Sequence, residues 1–93
     1  MNAIARAHQL RQRARHLRQL ADAIEAAPVM HLDQHGGVDT WRGHRPDLCR
    51  ATLASNQQQL HAAADDLRWQ AYRMEQQAEE LEAAARTQIG LAG

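Results

Sequence analysis

The residues with the widest chemical range crowd into one stretch. His31, Asp33, His35, Asp39 and His44 all fall within "HLDQHGGVDTWRGH", Cys49 follows shortly after, and the chain carries six His in 93 residues. Imidazoles and carboxylates hold zinc when three or four converge tetrahedrally, and a Cys beside a His can be a nucleophile with its base. Neither chemistry is expected here. The ligand spacing matches no compact zinc module, and Gly36-Gly37 breaks the set with a freely turning link. Cys49 lies five residues from His44 across Pro46, a separation that fixes no mutual geometry, so it reads as a small buried residue early in a helix. Gly36-Gly37 also lacks the Lys and Ser or Thr that a phosphate cradle requires. No catalytic residue, no metal ligand and no cofactor is therefore expected; His8, His16 and His61 read as helix-surface side chains.

The elements around this stretch are strongly patterned. Ala3, Ala7, Leu10, Ala14, Leu17, Ala21 and Ile24 recur at alternating spacings of four and three, which is one stripe of a helix. Leu53 and Gln57 begin a second such stripe, continued by Leu60, Ala64, Leu67, Ala71, Met74, Ala78, Leu81 and Ala85. A strict seven-residue repeat keeps a seam against its partner when the helices supercoil left-handed. Ala at every second seam position lets the axes approach more closely than Leu at both would.

The boundaries follow from capping chemistry. The first helix is expected over about 2–27, capped by Asn2 and stopped by Pro28, which a helix interior tolerates only at a cost of about 3 kcal/mol. The second is expected over about 46–89, with Pro46 at its first position and Asp47 against the positive end of its dipole. It would close in a left-handed cap at Gly90, with Leu91 folding back on Ala85. Residues 28–45 form the connector, too long for a bland turn. The chain is one all-α domain over 1–93, an antiparallel two-helix hairpin. Matching the large seam residues pairs Ile24 with Leu53, Leu17 with Leu60, Leu10 with Leu67 and Ala3 with Met74. Arg6, Arg11, Arg13, Arg15 and Arg18 then run beside Asp65, Asp66 and Glu75, which neutralise them.

That register leaves residues 75–88 beyond the first helix while their seam continues, and it leaves Leu20, Trp69 and Tyr72 beside the stripes. Leu20, Trp69, Tyr72, Ala78, Leu81 and Ala85 are thus the expected partner interface, and two hairpins are expected to pack into a four-helix bundle. A chain of this length buries only about 60–65% of its unfolded surface, so a second layer adds what one hairpin lacks. Composition agrees: of the 44% hydrophobic content, 19 residues are Ala and only three are aromatic.

Charge narrows the partners. Eleven Arg, no Lys and eleven acids give a formal net charge of zero, which removes the simplest electrostatic case for nucleic acid. The single Cys excludes an intrachain disulfide. No apolar run is long enough for a membrane span, and no secretory leader is expected. The first 21 residues are amphipathic, with five Arg and no acid, as in an organellar transit peptide, but they contain no Ser.

The segment "TWRGHRPDLCRATL" places Trp41 and Gly43 immediately before the second helix. A hairpin of this length with Trp-x-Gly in its connector resembles the WXG superfamily, the early-secreted-antigen-like proteins of bacterial type VII secretion. The resemblance implies a dimer with itself or a similar small hairpin, as cargo, co-secreted partner or adaptor for a larger exported protein or secretion component. It implies a cytoplasmic protein, or one exported without a cleaved leader. Gly43 would permit the bend and Trp41 would close the bundle's open end. Two features depart from that pattern. The connector is longer than a tight turn, and Tyr72 is followed four residues later by Gln76 rather than by the acid of the family's export signal. The other function class is a structural or regulatory coiled coil touching nucleic acid through the Arg face of the first helix.

Overall fold

The computed structural model describes residues 2–32 and 46–92. They form helix α1 (Ala3–Ala26), a short 3-10 turn (Pro28–His31) and helix α2 (Pro46–Ala92), with no strand among the described residues. The two helices lie antiparallel as one hairpin. Trp41, Gly43, His35, His44, Asp33 and Asp39 lie outside the described residues.

The start and end of α1 follow from local chemistry. Asn2 is extended, and its side-chain oxygen accepts the Ala5 N–H at 2.7 Å, satisfying a donor that has no partner within the helix. At the other end Ala27 takes φ −61° and ψ 141°, the extended geometry forced on a residue that precedes proline. Pro28 then opens the 3-10 turn, where its missing N–H costs nothing. Gln57 Nε2 donates to the Val29 carbonyl at 2.9 Å and ties this turn to α2.

Helix α2 runs on through Gly90 to Ala92, so the left-handed cap expected at Gly90, with Leu91 turning back, is not made. A Cβ at Gly90 would meet nothing within 4 Å. A glycine in open solvent weakens a helix by about 1 kcal/mol relative to alanine but does not by itself end one.

The molecule is a rod. Its radius of gyration is 21.2 Å and its extents are 74 × 18 × 15 Å, against a radius of about 13 Å for a compact domain of this size. The long dimension is that of α2, whose 47 residues span roughly 70 Å. A rod two helices thick has little interior. Among the described residues the buried core is Ala7, Ala14, Ala21, Ala64, Ala71, Ala78 and Met30, and no large side chain is fully buried. Alanines fill the line of closest approach. Leu10, Leu17, Ile24, Leu53, Leu60, Leu67 and Met74 flank that line, each half-buried.

The register differs from the expected one. Arg18 bonds Glu75, Arg11 pairs with Glu82, and Glu25 meets both His61 and Arg68. Leu17 therefore stands near Met74 rather than Leu60, about two heptads further along α2 than the pairing of large residues suggested. As a result α1 covers the region around residues 75–82 that was expected to project. The stretch left without α1 beside it is instead the first turns of α2, where Leu48 and Cys49 are exposed. The burial expected for Cys49 is corrected for the same reason.

Candidate partner-binding face

The hairpin has two unlike sides, and the seam alanines locate them. Four residues after Ala7, Ala14 and Ala21 come Arg11, Arg18 and Glu25. Four residues after Ala64, Ala71 and Ala78 come Arg68, Glu75 and Glu82. Side chains four apart stack along one side of a helix, so each set forms a column beside the seam. The antiparallel fold sets the columns together as a ladder.

The rungs are Arg11–Glu82, Arg18–Glu75 and Glu25–Arg68. The middle rung is forked: Arg18 Nε donates to Glu75 Oε2 at 3.1 Å and Nη2 to Oε1 at 2.5 Å, the planar two-bond match peculiar to guanidinium and carboxylate. Arg68 reaches Glu25 at 3.3 Å and Asp22 at 3.1 Å, and His61 Nδ1 approaches Glu25 Oε2 at 2.7 Å. The hydrogen bonds from Arg18 hold the Glu75 carboxyl below its ordinary range. Glu25 is likewise held low, first by its hydrogen bond to His61 and then by Arg68. Bonding to Glu75 raises Arg18, and bonding to Asp22 and Glu25 raises Arg68. This side of the seam is closed by the protein's own charges.

The other side is open. The residues just before the seam alanines are Arg6, Arg13 and Leu20 on α1 and Ala63, Gln70 and Gln77 on α2. They form no ladder. A groove runs between the helices here, with Leu17 and Met74 at its floor and Gln9, Arg13, His16 and Gln70 on its walls. Leu20 on this edge is 42% exposed. Leu17 and Met74 of the seam thus line an open groove on this side.

The residues expected at a partner interface divide between three places. Ala78 is buried in the hairpin's own seam, and Leu81 and Ala85 are half-buried along its continuation. They belong to the intrachain packing, because the register carries α1 past them. Leu20 edges the groove. Trp69 and Tyr72 lie on the back of α2, 58% and 45% exposed, with ring centroids 5.5 Å apart and planes at 19°. Tyr72 therefore stacks on Trp69 along its own helix.

The arginines are partly consumed within the chain. Arg11 and Arg18 are tied to Glu82 and Glu75, whereas Asp65 meets Arg68 in its own helix at 3.6 Å and Asp66 accepts from Gln70 at 2.8 Å. Arg6, Arg13 and Arg15 are exposed. Among the described residues no cluster of three His, Cys, Asp or Glu could hold a metal ion, and no helix is long and apolar enough to cross a membrane. The ladder was missed in the sequence although its signal was there, as two columns of opposite charge at the seam's own period. Comparison with known proteins finds no matching family model, no matching curated protein and no matching solved structure.

Proposed function

We propose that this chain is a non-enzymatic interaction module, a helical hairpin that completes its core by pairing with a second hairpin. The observation that carries this reading is the composition of the core. Among the described residues six alanines and Met30 are all that is buried, while every large seam residue stays half in water. Burying such side chains yields roughly 25 cal/mol per Å² of apolar surface, and one open face supplies the place to do it. The partner would be a second copy or a similar small hairpin, and the assembly a four-helix bundle.

The biological setting we propose is type VII secretion, as cargo, co-secreted partner or adaptor in the cytoplasm or exported with its partner. Support comes from the hairpin form and the Trp41-Arg42-Gly43 tripeptide in the connector. The pairing of Arg11 and Arg18 with acids of α2 favours a protein partner over nucleic acid, because those two charges are already neutralised.

Sedimentation equilibrium of the purified chain, alone and co-expressed with the product of the adjacent gene, tests the reading. A dimer or a stable co-complex at micromolar concentration supports it. A monomer in both cases, with a fully cooperative melt, overturns it.

A further inference from the structure

We propose that the open groove seats a second copy of this chain, with each α1 lying on the partner's α2 about a two-fold axis parallel to the helices, so that Arg13 faces Glu80 of the partner subunit. The proposal rests on the dimer reading above and adds its partner, face and orientation.

Two hairpins stacked face to face are related by a two-fold axis lying between them, either along the helices or across them. The crosswise axis lays α1 on α1. The groove edge and the adjoining outer positions of α1 are Arg6, Gln9, Arg13, His16, Leu20, Ala23 and Ala27. That stripe holds no acid, so this packing would set basic on basic. The lengthwise axis lays α1 on α2, whose corresponding stripe holds Asp66, Arg73 and Glu80. Charge complementarity selects the lengthwise axis.

A lengthwise axis also fixes the register. Rotation about it leaves every residue at its own height along the rod, so the level relation within one chain holds between chains. Arg11 is level with Glu82 and Arg18 with Glu75, which puts Arg13 level with Glu80. By the same relation His16 meets Gln77, Leu20 lies along the stem of Arg73, and Ala27 meets Asp66 of the partner subunit. No like charges oppose one another. Arg13 and Glu80 are both exposed and make no bond to each other within the chain, so each is available to the partner.

Charge reversal tests the arrangement by sedimentation equilibrium and its salt dependence. Arg13→Glu and Glu80→Arg each introduce two symmetric like-charge contacts, and each is expected to weaken the dimer about tenfold or more. The double variant is expected to return affinity to within about threefold of the parent. Circular dichroism of each variant checks that the helices persist. A parent dimer indifferent to both reversals, or a double variant no better than the singles, overturns this arrangement and leaves the dimer reading standing. A parent chain that forms only hetero-complexes also overturns it, and a chain that is monomeric in every mixture overturns both.

Discussion

Arg18 and Glu75, 57 positions apart in the chain, meet through two parallel hydrogen bonds of 3.1 and 2.5 Å across the hairpin. This fork selects one register from several that the seam would accept. Sliding α2 by seven residues in one direction sets Arg18 against Arg68. Sliding it by seven the other way sets Glu25 against Glu75. Either slip preserves the Leu/Ala seam and introduces like charges beside it, so the flank decides what the seam leaves degenerate.

Register can be read by cross-linking. In a Cys49→Ser background, Arg18→Cys with Glu75→Cys is expected to join efficiently within one chain through a short bis-maleimide. Arg18→Cys with Gln59→Cys, the pair that the matching of large residues would have favoured, is expected to stay unjoined. Mass spectrometry of the monomer band gives the yields, and equal yields would contradict the ladder.

The ladder also has a pH signature. Glu75 and Glu25 are held below the ordinary carboxylate range in the folded chain. Their contribution is therefore complete above the unfolded value of about 4.3 and is lost as pH falls through the lowered folded values. Thermal stability is expected to be level from neutral pH to about pH 5 and to decline below it. Glu75→Gln should start less stable and show a shallower acid decline, as followed by circular dichroism melts across pH.

Seam alanines should resist enlargement. Ala14 and Ala71 are fully buried, so a leucine at either position must push the helices apart. Ala71→Leu is expected to cost about 1–3 kcal/mol by denaturant unfolding. Ala83→Leu on the exposed side of the same helix should stay within about 0.5 kcal/mol of the parent.

The back of α2 should remain open. With Trp41→Phe as background, Trp69 is expected to emit as a solvent-exposed indole and to be readily quenched by acrylamide, as its 58% exposure requires. In the groove-to-groove dimer neither property should change with concentration, because Trp69 sits away from the groove. A blue shift on dimerisation would place the aromatic pair in the interface instead.

Much of the hairpin was legible from local chemistry. The alternation of fours and threes from Ala3 to Ile24 and from Leu53 to Ala85 defines two amphipathic helices, since no other period lines those residues up. Asn2 and Pro28 mark the ends of α1 because an N-cap and a missing N–H act within a few residues of themselves. Gly90 misled, since its conformational freedom permits a stop without requiring one.

Tertiary structure alone decided how the two helices face each other. Every large seam residue sees an equivalent partner after a shift of seven, so hydrophobic periodicity is blind to translation along the rod. What breaks the degeneracy is the order of charges in Arg11, Arg18, Glu25 and Arg68, Glu75, Glu82, which acquires meaning only once the chain is folded antiparallel. That choice moved Ala78 from a projecting end into the seam and exposed Cys49. It also left one side of the rod lined by ion pairs and the other an open groove, because the antiparallel fold brings the two charged columns together along one flank only.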